Sequence, residues 1–263
     1  MRATLLLSVA SLVTLGHVVG CGDGAPKNLA PTSSALTSAK PATATAAKMV
    51  IAPKSAVTFL MEAPLEKIHG KAPGGASGEV FVDPTDVTKT TGLVKVDLEK
   101  LELFQQKRES ETAEYAQEEK SDLQNEHARA WLEIGADAPA DQRAANQRIE
   151  FKITSVTATG PTDLTKLEGD TRKVVVEVSG DLRLHGRTSQ KTVQMDATFR
   201  FKDGKLVAVD LKTAKPFLVD LDAHDVRPRE AFGKLAQKTL EMMAPKVAKE
   251  ANVSPDLTLE PAG

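Results

Sequence analysis

From about residue 50 onward, apolar and polar side chains alternate with the two-residue period of a half-buried strand. The clearest row is Val174, Val176, Val178, Leu182 and Leu184, interleaved with Glu177, Ser179, Asp181, Arg183 and His185. After a turn at 186–190 the phase changes, and Val193, Met195, Ala197, Phe199 and Phe201 become the apolar row. The two runs are predicted to form an antiparallel hairpin. Asp203-Gly204 is the next tight-turn signal, followed by Val207, Val209 and Leu211 and, past Pro216, by Phe217, Val219 and Leu221. Shorter rows are Val57, Phe59 and Met61; Val80 and Val82; Val94, Val96 and Leu98; and Ile149, Phe151 and Ile153. Short strands at 65–71 and 253–259 bring the total to about eight to ten. A sheet of that size with one apolar face curls, and closure into a barrel removes its exposed edges. The pattern therefore predicts a mainly β chain forming an antiparallel β-barrel of about eight strands, either filled by side chains or hollow enough for one small ligand.

Two stretches depart from the alternation. Residues 107–135 lack Gly and Pro until their end and are predicted to form an exposed helical insertion, spanning about 105–135 and packed only near Trp131. Within it Glu114, Glu118, Asp122 and Glu126 recur every fourth position, a stripe that could gather a divalent cation or simply face water. No Glu-x-x-His spacing accompanies it, so no metal site is assigned. Residues 228–245 start with Pro228 and put Phe232, Leu235, Thr239 and Met242 on one helical face, predicted to cover a barrel mouth.

The amino terminus carries a different signal. Arg2 precedes a mostly apolar run over 3–19, too short and too often interrupted by Ser8, Ser11, Thr14 and His17 for a membrane span of about 20 residues. Residues 1–20 are read as a signal peptide. The sole cysteine, Cys21, follows directly and has no disulfide partner in its chain. VVGC at 18–21 resembles the lipobox of bacterial lipoproteins, which implies cleavage before Cys21 and its acylation. Two or more acyl chains anchor a protein stably, so membrane attachment through Cys21 is expected. Gly22 in the next position favours the outer membrane, with the protein facing the periplasm. Residues 21–50 then form a linker of Ala, Thr, Ser, Pro and Lys, expected to be flexible with a span near 30 Å, ahead of a barrel domain at 51–263.

Composition narrows the function. A net charge of −2 and 4% aromatic residues exclude a basic, base-stacking nucleic-acid surface. Acylated Cys21 is removed from nucleophilic chemistry. His69, His127, His185 and His224 share no metal-ligand spacing, and His224-Asp225 lacks a Gly-x-Ser-x-Gly elbow. Gly74, Gly75 and Gly78 precede no phosphate-loop Lys-Ser. No catalytic residue and no cofactor is assigned.

Six short pieces, in order and spacing, carry a resemblance: SAVTF at 55–59, GEVF at 78–81, VDL at 96–98 followed by Leu101, NEHARA at 125–130, RIEF at 148–151 and GDLRLHG at 180–186. Together they are similar to the YceI-like, or polyisoprenoid-binding, family. The pattern departs where Asn125-Glu126 stands in place of that family's Arg-Asp pair, and 105–124 is longer than usual. The resemblance implies an exported lipocalin-like barrel that holds a long isoprenoid or quinone-type lipid without covalent chemistry. Phe59, Val94, Val96, Phe151, Ile153, Val176, Val178, Met195 and Phe199 are then the lining candidates; core packing is the alternative for each. The competing expectation is an envelope interaction lipoprotein with a packed barrel, whose protein partners the sequence does not specify. A hydrolase built on His224-Asp225 and a serine comes third.

Overall fold

The computed structural model describes residues 28–227 and 248–263. The signal peptide, Cys21 and the helix expected at 228–245 lie outside the described residues. Thirteen strands join in one sheet. Grouped by pairing, twelve of them make the eight staves of a closed antiparallel barrel. Four staves are broken midway: β1 (Ala47–Ile51) with β2 (Ala56–Ala63), β3 (Glu66–Lys71) with β4 (Ala76–Val82), β5 (Thr91–Asp97) with β6 (Glu102–Lys107), and β11 (Lys205–Thr213) with β12 (Phe217–Asp220). The other four are continuous: β8 (Arg148–Thr159), β9 (Thr171–Leu184), β10 (Arg187–Lys202) and β13 (Glu250–Pro261). Pro53, Pro73 and Pro216 fall at three of the breaks, where a residue without an N–H cannot extend the ladder. At the fourth, Leu98–Lys100 form a 3-10 turn capped by Asp97, whose carboxylate accepts the Glu99 N–H at 3.0 Å.

β13 closes the ring by pairing with β1 and β2 on one side and with β11 and β12 on the other. It runs well beyond the short strand expected at 253–259. One half of the barrel has a gap, because β5 pairs with β8 but β6 does not. The two-residue β7 (Glu119–Lys120) and the helices α1 (Asp122–Trp131) and α2 (Ala140–Asn146) occupy that gap. Asn125 of α1 substitutes for the missing strand: its Oδ1 accepts the Leu103 N–H at 3.1 Å and its Nδ2 donates to the Leu103 carbonyl at 3.3 Å. Together with the Ser121 N–H, which also donates to the Leu103 carbonyl at 3.0 Å, this side chain satisfies the buried edge at Leu103.

Several expectations change. The helix foreseen over 107–135 is confined to 122–131, so Glu114 and Glu118 are not on it and no acidic stripe exists. Residues 108–118 have no apolar face to bury as a helix. They fold back instead on β3 and β6, with Tyr115 under Lys67 and Arg108 at 4.7 and 4.6 Å and Glu118 beside His69 at 3.3 Å. His185 is not on the polar side of a strand. With Gly186 it forms the two-residue β9–β10 turn, both at positive φ as such a hairpin requires, and its ring is buried against Glu133 at 2.8 Å. Val207 does not continue an inner row either, because a bulge pairs Phe201 with Leu206 and Arg200 with Ala208 and leaves Val207 outside.

The largest difference concerns the linker. Residues 28–46 do not hang free; they run as a strap across the outside of the barrel. Ala30 N–H donates to Ala223 O at 2.8 Å, Ser33 N–H to Gly186 O at 2.8 Å, and Leu36 N–H to a Glu150 carboxylate oxygen at 2.8 Å. Further along, Thr91 Oγ1 donates to Lys40 O at 2.6 Å, and Thr43 and Thr45 donate to Asp83. Burial alone would raise the Asp83 pKa, yet donation by Thr43, Thr85 and Thr45 outweighs it and holds the carboxyl well below the usual carboxylate range. The strap is held by polar contacts to the barrel wall, so an apolar pattern is not needed to order it.

Candidate functional site

The inward-facing rows do not meet at the barrel axis. They leave an apolar cavity of ≈ 240 Å³ running between two core clusters. One water-sized group needs about 10–15 Å³ on this measure, so the space takes roughly 16 to 24 of them. At one end Val87 and Leu164, on 3-10 turns, are 1% and 0% exposed and close the barrel. At the other, the wall is formed by the partly exposed inner face of α1, with Gln124, His127, Ala128 and Trp131, and by Val226. The His127 and Trp131 rings stack there at 6.1 Å. Among the described residues, every lining side chain apart from Thr90, Gln124 and His127 is Val, Leu, Ile, Met, Phe, Trp, Ala or Pro.

All nine positions proposed from the strand rows line this space. Val96, Val176, Val178, Met195 and Phe199 are buried, and Phe59, Val94, Phe151 and Ile153 are half-buried. Two aromatic walls are set by glycines on neighbouring strands. Phe59 lies over Gly70, its cross-strand partner, where an added Cβ would sit 2.1 Å from the ring; at Gly180 it would sit 2.6 Å from Phe151. Gly70→Ala is therefore expected to push Phe59 toward the cavity and cost about 1–3 kcal/mol, read as a lower midpoint in scanning calorimetry.

Residues 49–259 match the family model described as "YceI-like domain". The chain belongs to the YceI-like family. None of the curated proteins matches it by sequence. Among solved structures, the YceI-like barrel is similar to a polyisoprenoid binding domain from Saccharophagus degradans implicated in plant cell wall breakdown. That likeness has a TM-score of 0.51 at 15% identity and covers 82% of this chain and 99% of the other. Burkholderia cenocepacia BcnA is also similar, with a TM-score of 0.45 at 14% identity over 78% of this chain and 96% of that one.

Within this YceI-like barrel, α1 contributes cavity residues that strand periodicity could not reveal, namely Gln124, His127, Ala128 and Trp131, with Leu132 just after it. Asn125, at the point where the chain departs from the family's Arg-Asp pattern, faces the β6 edge and not the cavity. Among the described residues, no three His, Cys, Asp or Glu side chains gather closely enough to hold a metal ion.

His224 does meet a serine, but outside the cavity. Its Nδ1 lies 3.1 Å from the Leu184 carbonyl and so carries the proton, which leaves Nε2 to accept from Ser189 Oγ at 2.9 Å. The ring is 1% exposed, its Nδ1 faces a backbone carbonyl, and Asp225 binds Arg227, so among the described residues no carboxylate orients the ring and no open cleft completes a hydrolytic site. Burial lowers the His224 pKa, only partly opposed by its bond to Leu184. The folded chain thus favours the neutral ring, while the unfolded chain takes up a proton near the ordinary value of about 6.5. Stability is expected to fall as pH drops below that value, with a slope approaching about 1.4 kcal/mol per pH unit until the folded ring also titrates. Urea melts between neutral and mildly acidic pH should show this component, and His224→Gln should remove it.

Proposed function

We propose that this protein holds one long apolar lipid, of isoprenoid or quinone type, inside its barrel, and does so in the cell envelope, tethered by an acylated Cys21. The observation that carries this reading is the hollow interior: a cavity of ≈ 240 Å³ whose wall, among the described residues, includes only three polar side chains. Each methylene moved from water into such a space gains about 0.8 kcal/mol, so a chain of methylenes and methyls accumulates affinity by length alone. A polar solute would shed its hydration there and recover almost none of it. The interior thus selects by partitioning, with no bond made or broken. A solved domain with the same fold that is described as polyisoprenoid-binding lends support to this ligand class. The lipobox-like VVGC and Gly22 speak for export and an outer-membrane anchor. A cavity of this size speaks against the packed-barrel alternative.

Native mass spectrometry of the exported protein, followed by organic extraction, tests the proposal. A long-chain isoprenoid or quinone retained at one per chain is the expected result. An apo mass that persists after incubation with isoprenoids and quinones would overturn it.

A further inference from the structure

The strap changes what the anchor does to the barrel. Ala30, near its start, sits at the barrel end that carries α1: its N–H donates to Ala223 O, and its own carbonyl accepts from Arg187 Nη1, both at 2.8 Å. Thr188 N–H donates to Pro31 O at 2.9 Å and Arg183 Nε to Ser33 O at 3.2 Å, so Ala30, Pro31 and Ser33 are all tied to the β9–β10 hairpin. That turn is in turn joined to the chain just beyond α1 through His185 and Glu133. From Ala30 the strap crosses the barrel to Asp83 at the far end, where the chain enters β1. Only residues 22–29 separate Cys21 from Ala30, a stretch that reaches at most about 30 Å fully extended. A linker free as far as Ala47 would reach nearly three times as far and leave from the opposite end.

The distribution of exposed apolar side chains points the same way. The large hydrophobic residues exposed on the described surface are Leu65, Leu123, Leu218 and Val207. Leu65 is in the β2–β3 turn, Leu123 in the first turn of α1 and Leu218 on β12, all in the α1-bearing half; Val207 lies beside the β10–β11 turn at the other end. The half to which the short tether attaches is thus also the half that exposes leucines and through which α1 walls the cavity.

We propose that the strap orients the barrel, so that the α1-bearing half rests against the bilayer that holds the Cys21 acyl chains and the α1 wall of the cavity faces that membrane. This rests on the reading that Cys21 is acylated; it does not depend on which lipid fills the cavity. An apolar ligand would then pass between bilayer and barrel without crossing bulk water, where its transfer is most costly.

Because acylation consumes the only native thiol, Leu123→Cys and Val207→Cys each supply one free thiol for a bimane label in the full-length, acylated protein. Both positions are on the surface, so neither change disturbs the core. The proteins are reconstituted on phosphatidylethanolamine and phosphatidylglycerol vesicles containing doxyl lipids. The label at position 123 is expected to lose most of its fluorescence and the label at position 207 to keep it. A flexible Gly-Ser insertion after Gly22 is expected to abolish the difference. Equal quenching at both positions, or none at 123, in protein whose amino-terminal peptide carries the acyl mass overturns the orientation alone. An unacylated peptide overturns the anchoring reading, and the orientation with it.

Discussion

Replacing Glu150 with alanine is expected to cost about 3–5 kcal/mol. For a chain of this size that is a fall of roughly 6–20 °C in the unfolding midpoint. Glu150 and Arg183 are cross-strand partners on β8 and β9, and they are only 4% and 5% exposed although they lie on the outer face of the barrel. The strap is what covers them. Arg183 donates to the Ser33 and Ala145 carbonyls and faces the Glu150 carboxylate at 3.7 Å, while a Glu150 oxygen accepts the Leu36 N–H at 2.8 Å. Removing the carboxylate leaves a guanidinium in a dry site with neutral acceptors only, and it leaves the Leu36 N–H unpaired. Replacing both, as Glu150→Leu with Arg183→Met, removes the stranded charge and should recover most of the loss, short of the Leu36 bond. Thermal melts followed by circular dichroism compare the three proteins. A single variant within about 1 kcal/mol of the parent, the range of an exposed ion pair, would mean that the strap does not cover the pair in solution.

That pair also shows where the sequence stops being legible. The inner face could be read because alternation is local: Val174, Val176 and Val178 mark one side of β9 whatever lies opposite. One of the stave breaks could be read too, since Pro216 acts through its own missing N–H group. The outer face could not. Glu150, Arg183 and Asp83 occupy positions that the alternation assigns to water, and nothing within several residues of them says that a distant Thr- and Ser-rich segment lies on top. That segment resembles a disordered linker because Leu29 and Leu36 are its only large apolar side chains, yet its backbone and threonine hydroxyls are held by just those residues. The hollow interior was equally hidden. Inward rows look the same in a packed and an open barrel, because the difference lies in how far apart the walls stand, which is set by stave number and stagger and by α1 in the gap.

The same point gives the second large effect. Ala251 and Val176 line the cavity from β13 and β9 in its two halves, 5% and 4% exposed. Ala251→Phe and Val176→Phe each direct a ring into space that a bound lipid chain would occupy. In a hollow barrel the added ring fills a void and gains contacts of its own, so stability should hold or rise by about 1–2 kcal/mol. In a packed barrel the same change overfills the core and costs about 1–3 kcal/mol. Lipid retention should move the other way, with a loss of about ten-fold or more in affinity, equivalent to about 1.4 kcal/mol for each factor of ten. Native mass spectrometry reads retention and calorimetry reads stability on the same samples, with Val207→Phe, outside the barrel, as the reference. Loss of lipid together with unchanged or higher stability can arise only if ligand and ring compete for the same void. Loss of both would instead reflect a damaged core. Retained lipid in a stable Ala251→Phe protein would place the binding site elsewhere on the barrel.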